Sequence, residues 1–161
     1  MRGFLGLGSN EGDPLEALRS ARDSLEGHGV RVTRSSSVYA TAPQGEVLDQ
    51  PDFLNACLEI ETELGPEELL MAAKAVEVQL GREPGGPRHG PRPIDVDVLL
   101  LGQVEHRSER LVLPHPDIAS RRFVLEPLLE LDSTLELPGG VGLAPLLEGV
   151  ADQRVERVGD L

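Results

Sequence analysis

Two carboxylates stand one residue apart in a run of aliphatic and β-branched residues, Asp95 and Asp97 in the row IDVDVLL. In an extended strand alternate residues share a face, so the two point the same way with Cα atoms about 6.6 Å apart. Ile94, Val96 and Val98 then point to the opposite layer. No His or Cys adjoins the pair. A few hard oxygen ligands suit Mg²⁺, which completes its shell with water and substrate phosphates. Taken alone, two solvated aspartates on an exposed sheet face would read the same, so their surroundings decide.

Those surroundings are basic. The chain carries a formal net charge of −13, which by itself repels nucleic acid and anionic lipid. The charge is unevenly spread: −8 over residues 1–81, +1 over 82–122 and −6 over 123–161. The middle stretch holds seven Arg and three of the four His. Every cation in it is Arg, whose planar fork matches phosphate oxygens, and the one Lys of the chain is Lys74. Arg82, Arg88 and Arg92 lie in a loop rich in Gly and Pro, REPGGPRHGPRP, which reads as a mobile lid over the aspartates.

A second group offers recognition of a flat ring. The row FLNACLEIET (53–62) alternates, sending Leu54, Ala56, Leu58 and Ile60 to a core face and Phe53, Asn55, Glu59 and Glu61 to a wet one. Phe53 gives a stacking surface, and the Asn55 amide both donates and accepts, which suits a heterocycle with a mixed edge. Phe123, after Arg121 and Arg122, can supply a second stacking face or simply fill the core. Other chemistries find little support. Cys57, the single cysteine, sits in an apolar run and reads as a small buried hydrophobe. Gly6, Gly8 and Gly12 are spaced one residue too long for the dinucleotide fingerprint. A flexible first loop near the substrate is the better expectation there. No Ser lies in a G-x-S-x-G elbow.

The elements that must carry these groups follow from periodicity. Residues 3–7 read as a strand, Asp13–Pro14 as the start of a helix with apolar positions at Leu15, Leu18, Ala21 and Leu25, and 30–41 as one strand. After a loop at 42–52 come the strand 53–62, a helix from Gly65 with an apolar stripe at Leu69, Ala73, Val76 and Leu80, and the strand IDVDVLLLG. FVLEPLLEL reads as a further helical segment before a short C-terminal tail. The order β-α-β-β-α-β predicts an α+β, ferredoxin-like antiparallel sheet, with helices packed on one face and the active site on the other. At 161 residues one domain spanning 1–161 is expected.

Several blocks together carry a resemblance: LGLGSNEGD (5–13), YATAPQG (39–45), DQPDFLNACLEIET (49–62), GPRPIDVDVLLLG (90–102), RLVLPHP (110–116) and RRFVLEPLLEL (121–131). In these the chain resembles the 6-hydroxymethyl-7,8-dihydropterin pyrophosphokinases of folate biosynthesis. The resemblance implies transfer of a diphosphate group from ATP to the pterin hydroxymethyl group, with release of AMP. It implies that Asp95 and Asp97 hold two Mg²⁺ and that Arg82 and Arg92 close over the triphosphate, these four being the catalytic set. The pterin would meet Phe53, Phe123 and Asn55, with backbone contacts from Thr41, Ala42 and Gln44. The nucleotide would meet Lys74, Glu77, Arg110, His115 and Arg121 together with the loop arginines 82, 88 and 92. The sequence departs from the family where a second lid Arg is frequent, at Pro84, so that either Arg88 substitutes or the contact is lost. It departs also at His89, Val112 and Pro116.

A ligand-sensing module of the same fold, without chemistry, is the alternative reading, and loss of Asp95, Asp97 or Arg92 would be its mark. All three are present. The N-terminal row MRGFLGLGSN has no signal-peptide h-region and no apolar run approaches a membrane span. A cytoplasmic monomer is the expectation, with ATP and the pterin as its partners and neither nucleic acid nor membrane.

Overall fold

The computed structural model describes residues 1–42, 51–81 and 93–161. Strand β1 (Arg2–Ser9) leads into helix α1 (Pro14–Leu25). Asp13 caps that helix, its carboxylate accepting the Glu16 N–H at 3.2 Å, and Pro14 occupies the first turn, where a missing N–H costs nothing. Leu18, Ala21 and Leu25 form its buried stripe, and the chain turns away at Gly29, whose φ of 82° an L side chain rarely adopts.

The stretch expected as one strand over 30–41 is two, β2 (Val30–Ser35) and β3 (Ser37–Thr41). Ser36 is the break: its Oγ accepts the Cys57 N–H at 2.9 Å, while its own N–H goes to the Cys57 carbonyl. Both pieces pair with β4 (Phe53–Thr62). Helix α2 (Pro66–Gln79) starts with Glu68 reaching back to the Gly65 N–H, and it buries Leu69, Ala72, Ala73 and Val76. β5 (Asp95–Leu101) returns beside β1, then a two-residue hairpin follows, β6 (His106–Arg107) with β7 (Val112–Leu113). α3 (Arg122–Leu131) and a last strand, β8 (Val155–Asp160), complete the order.

The sheet runs β5-β1-β4-β3-β8, with β2 also on β4, and all its pairings are antiparallel. α1 and α2 cover one face, where Leu5, Leu58, Ile60 and Ile94 are fully excluded from water. Each such burial contributes about 1.5–3 kcal/mol. The other face differs from expectation. It is not left to the site alone, because α3 lays Val124, Leu125, Leu128 and Leu131 over Phe4, Cys57, Leu99 and Leu100. The wet side assigned to β4 is thus dry at Asn55, which is 7% exposed, and Cys57 is buried there as its apolar surroundings in the sequence imply. β8, expected only as tail, adds an edge strand to β3.

Candidate active site

Beyond the first turn of α3, the second face opens into a cavity of about 300 Å³. Its floor is set by strand register. Gly6 lies opposite Cys57 on β4 and Asp97 on β5, and Gly8 opposite Asn55 and Asp95. The two glycines therefore form a low central strip between the carboxylates and the ring-recognition groups. A Cβ on Gly8 would stand 3.1 Å from the Asn55 Oδ1, and one on Gly6 would touch the Leu99 methyls at 3.4 Å. Gly6 lies in the strand expected over 3–7, and Gly8, expected in the flexible loop after it, belongs to the same strand, so the G-x-G spacing clears space above the sheet.

Asp95 and Asp97 open onto this cavity from one face of β5, as alternation requires, while Val96 is buried beneath them. Asp97 is reached by solvent yet hemmed in by protein. That crowding, with the charges of Asp95 and Glu77, pushes its carboxyl up to about 6, against the pull of Lys74 and Arg121. Among the described residues no group of three His, Cys, Asp or Glu could by itself hold a metal ion. Two carboxylates alone suit Mg²⁺, which keeps water or phosphate in the rest of its shell, so the donor set fits the ion.

On the other side of the glycine strip stand Phe53, half-buried, and Asn55, whose Nδ2 donates to the Thr41 Oγ1 at 2.7 Å. Thr41, Ala42 and Phe123 join the lining. Phe123 is held under the Arg121 guanidinium, 5.6 Å from the ring centre. Arg121 is paired in turn with Asp117 at 3.1 Å. His115 accepts the Asp117 N–H at its Nδ1, which assigns the proton of the neutral ring to Nε2. Burial holds its pKa below the ordinary imidazole value, so the ring meets the cavity as a neutral donor.

Most of the residues singled out in the sequence thus converge: Thr41, Ala42, Phe53, Asn55 and Phe123 with Lys74, Asp95, Asp97, His115 and Arg121. Two do not line this cavity. Glu77 is 2% exposed, and its Oε2 accepts the Val96 N–H at 2.8 Å. Arg110 lies beside a separate apolar groove on α2 and pairs with Glu67 at 3.3 Å. Gln44, Arg82, Arg88 and Arg92, with Pro84 and His89, lie outside the described residues. Cys57 borders the floor, but burial drives its thiol pKa up and leaves it unreactive. Sequence reasoning missed Gly6, Gly8, Leu99 and Asp117. The G-x-G at the end of a first strand was the available signal for the first two.

The chain is similar to known proteins over most of its length. Residues 4–133 match the family model described as 7,8-dihydro-6-hydroxymethylpterin-pyrophosphokinase. A Methylorubrum extorquens protein named 2-amino-4-hydroxy-6-hydroxymethyldihydropteridine pyrophosphokinase is 42% identical over 158 residues, 98% of each chain. A Pisum sativum mitochondrial folate synthesis bifunctional protein is 45% identical over 130 residues, which is 81% of this chain but 25% of that one. The chain thus spans about a quarter of the length of such bifunctional relatives. Among solved structures, Plasmodium falciparum HPPK-DHPS with pteroate shares the fold, with a TM-score of 0.72 at 12% identity over 94% of this chain and 42% of that one. By its matched length and its near full-length relative, the chain belongs to the 7,8-dihydro-6-hydroxymethylpterin-pyrophosphokinase family.

Proposed function

We propose that the chain, as one domain over 1–161, transfers the diphosphate group of ATP to the hydroxymethyl oxygen of 6-hydroxymethyl-7,8-dihydropterin. The pterin oxygen bonds to the β-phosphorus, the bond from that phosphorus to the oxygen bridging it to the α-phosphate breaks, and AMP leaves. The observation that carries the reading is one cavity in which a carboxylate pair and a ring-binding pair flank a strip of glycine. A transfer between a phosphate chain and a flat heterocycle needs that adjacency.

Each group then has a task. Phe53 and Phe123 stack on the pterin, Asn55 reads its edge, and Thr41 holds the Asn55 amide, with Ala42 in the same lining; a backbone contact to the pterin is assigned to Gln44 as well. Asp95 and Asp97 hold Mg²⁺, two ions in all, which when bound neutralise phosphate charge and align the two substrates. His115, Lys74 and Arg121 face the nucleotide from the wall, and Arg110 reaches it from the hairpin side. Arg82, Arg88 and Arg92 serve as its phosphate clamps. Phosphoryl-type transfer depends chiefly on positioning and charge stabilisation, which is what these residues supply. The chain acts as a cytoplasmic monomer in this reading. Among the described residues no helix is long and apolar enough to cross a membrane.

The test is product analysis with Mg²⁺ and ATP, with and without the pterin. AMP forming only when the pterin is present supports the assignment. ADP as the product, or turnover indifferent to the pterin, overturns it.

A further inference from the structure

We infer that Glu77 is a positioning residue for the Asp95 and Asp97 pair, acting through the backbone between them; this rests on the proposed reading of that pair as metal-binding carboxylates. β5 is an edge strand, with β1 on one side and no strand on the other among the described residues. Edge strands leave a row of N–H and C=O groups unpaired by the sheet. The Val96 N–H is one of these, and Glu77 takes it with Oε2 at 2.8 Å, in a buried contact 19 residues away in sequence. That bond holds the peptide joining Asp95 to Val96, so it sets the height and tilt at which the two carboxylates leave the strand.

The site is costly for an acid. Glu77 lies on the buried face of α2 with Leu69, Ala72, Ala73 and Val76, and it is the one ionisable residue among them. A buried carboxylate is tolerated when paired and hydrogen-bonded, and an apolar residue would otherwise be the stable choice. Its pairing is itself directed at the cavity, since Oε1 sits 3.2 Å from the Nζ of Lys74, whose side chain lines the wall. Glu77 is thus bonded to the strand that carries the two aspartates. Groups behind a metal's ligands orient them, and their loss typically weakens metal binding about ten- to a hundredfold.

The experiment compares the full chain with Glu77→Gln, which keeps an acceptor oxygen, and Glu77→Leu, which keeps the volume and removes it. Amide exchange at Val96 and the carboxyl carbon shifts of Asp95 and Asp97 are read by NMR without ligand. Mg²⁺ is then titrated by calorimetry with α,β-methylene-ATP present. In Glu77→Leu the Val96 amide is expected to lose protection, both carboxyl shifts to move, and the Mg²⁺ affinity to fall about ten- to a hundredfold. Glu77→Gln is expected to keep the amide protected and to stay within about threefold of the parent, a difference near 0.6 kcal/mol. Equal losses in the two variants, or carboxyl shifts indifferent to both, overturn the inference. If Glu77→Leu fails to fold, a Val96 amide unprotected in the parent or in Glu77→Gln overturns it equally. A parent chain that binds no Mg²⁺ with the analogue sinks the proposed function instead, while the ligand-free amide and carboxyl readings still judge Glu77.

Discussion

At the scale of single residues, the chemistry was legible wherever a residue type implies its own task. Asp95, Asp97, Phe53 and Asn55 are identified by type and alternation, and they meet in one cavity. Gly6 and Gly8 were harder to read because their contribution is an absence of side chain, which has meaning only once register sets them between Asn55 and the aspartates. Gly8→Ala tests this directly. Its Cβ would press on the Asn55 Oδ1 from 3.1 Å, so the amide must shift. Crowding of this kind costs about 1–3 kcal/mol. The KM for the pterin is expected to rise about tenfold or more, with the KM for ATP little changed, and steady-state kinetics in each substrate separates the two. Asp97→Ala, in contrast, removes a carboxylate assigned in the proposed function to direct metal binding. Turnover is expected to fall by more than about a hundredfold, beyond what loss of a supporting group costs. An AMP-release assay at saturating ATP and pterin, carried to high Mg²⁺, checks it.

At the scale of elements, periodicity found the strands and helices that alternate or repeat and missed what depends on partners. VERVGD (155–160) is too polar to announce a strand, and it forms one because β3 offers an open edge. The break at Ser36 is equally silent, since it rests on a side chain exchanging bonds with Cys57 on the next strand. The position of α3 on the second face is secured by a carboxylate. Glu130 accepts the Ser37 N–H and Oγ–H and the Tyr39 hydroxyl, the last at 2.6 Å, and Arg157 of β8 donates to the same Ser37 Oγ. One acid thus ties α3, β3 and β8 together, and burial beside that charge drives the Tyr39 pKa upward. Glu130→Ala strips three donors of their acceptor. It is expected to destabilise the fold by about 2–3 kcal/mol, and urea unfolding with an unchanged m-value checks it.

At the scale of the whole molecule, the charge of −13 misleads if treated as uniform. The cavity gathers Lys74 and Arg121 beside its two aspartates, whereas several acids elsewhere are answered by local partners. One such network joins distant parts of the chain. Arg2 on β1 pairs with Glu59 on β4 at 2.7 Å and with Asp132 at the end of α3 at 3.0 Å, bracing the sheet against the helix that bounds the site. The Glu59 carboxyl is held below its ordinary value by hydrogen bonds from Arg2 and Thr33, which outweigh its burial. Asp132 is lowered chiefly by Thr134, with Arg2 adding to it. Both acids bind protons less readily folded than unfolded, so their contribution is present above the ordinary carboxylate range and is lost as pH falls through the folded values. Arg2 is nearly half exposed, which limits the network to about 1 kcal/mol or less after screening. Arg2→Met is therefore expected to lower stability at pH 7 and to converge on the parent as pH falls through the range in which both carboxyls take up protons. Urea unfolding at pH 7 and over an acid series checks it. A deficit that persists undiminished in acid would instead assign the role of Arg2 to its stacking on the Phe4 ring, 4.9 Å away, which does not titrate with the carboxylates.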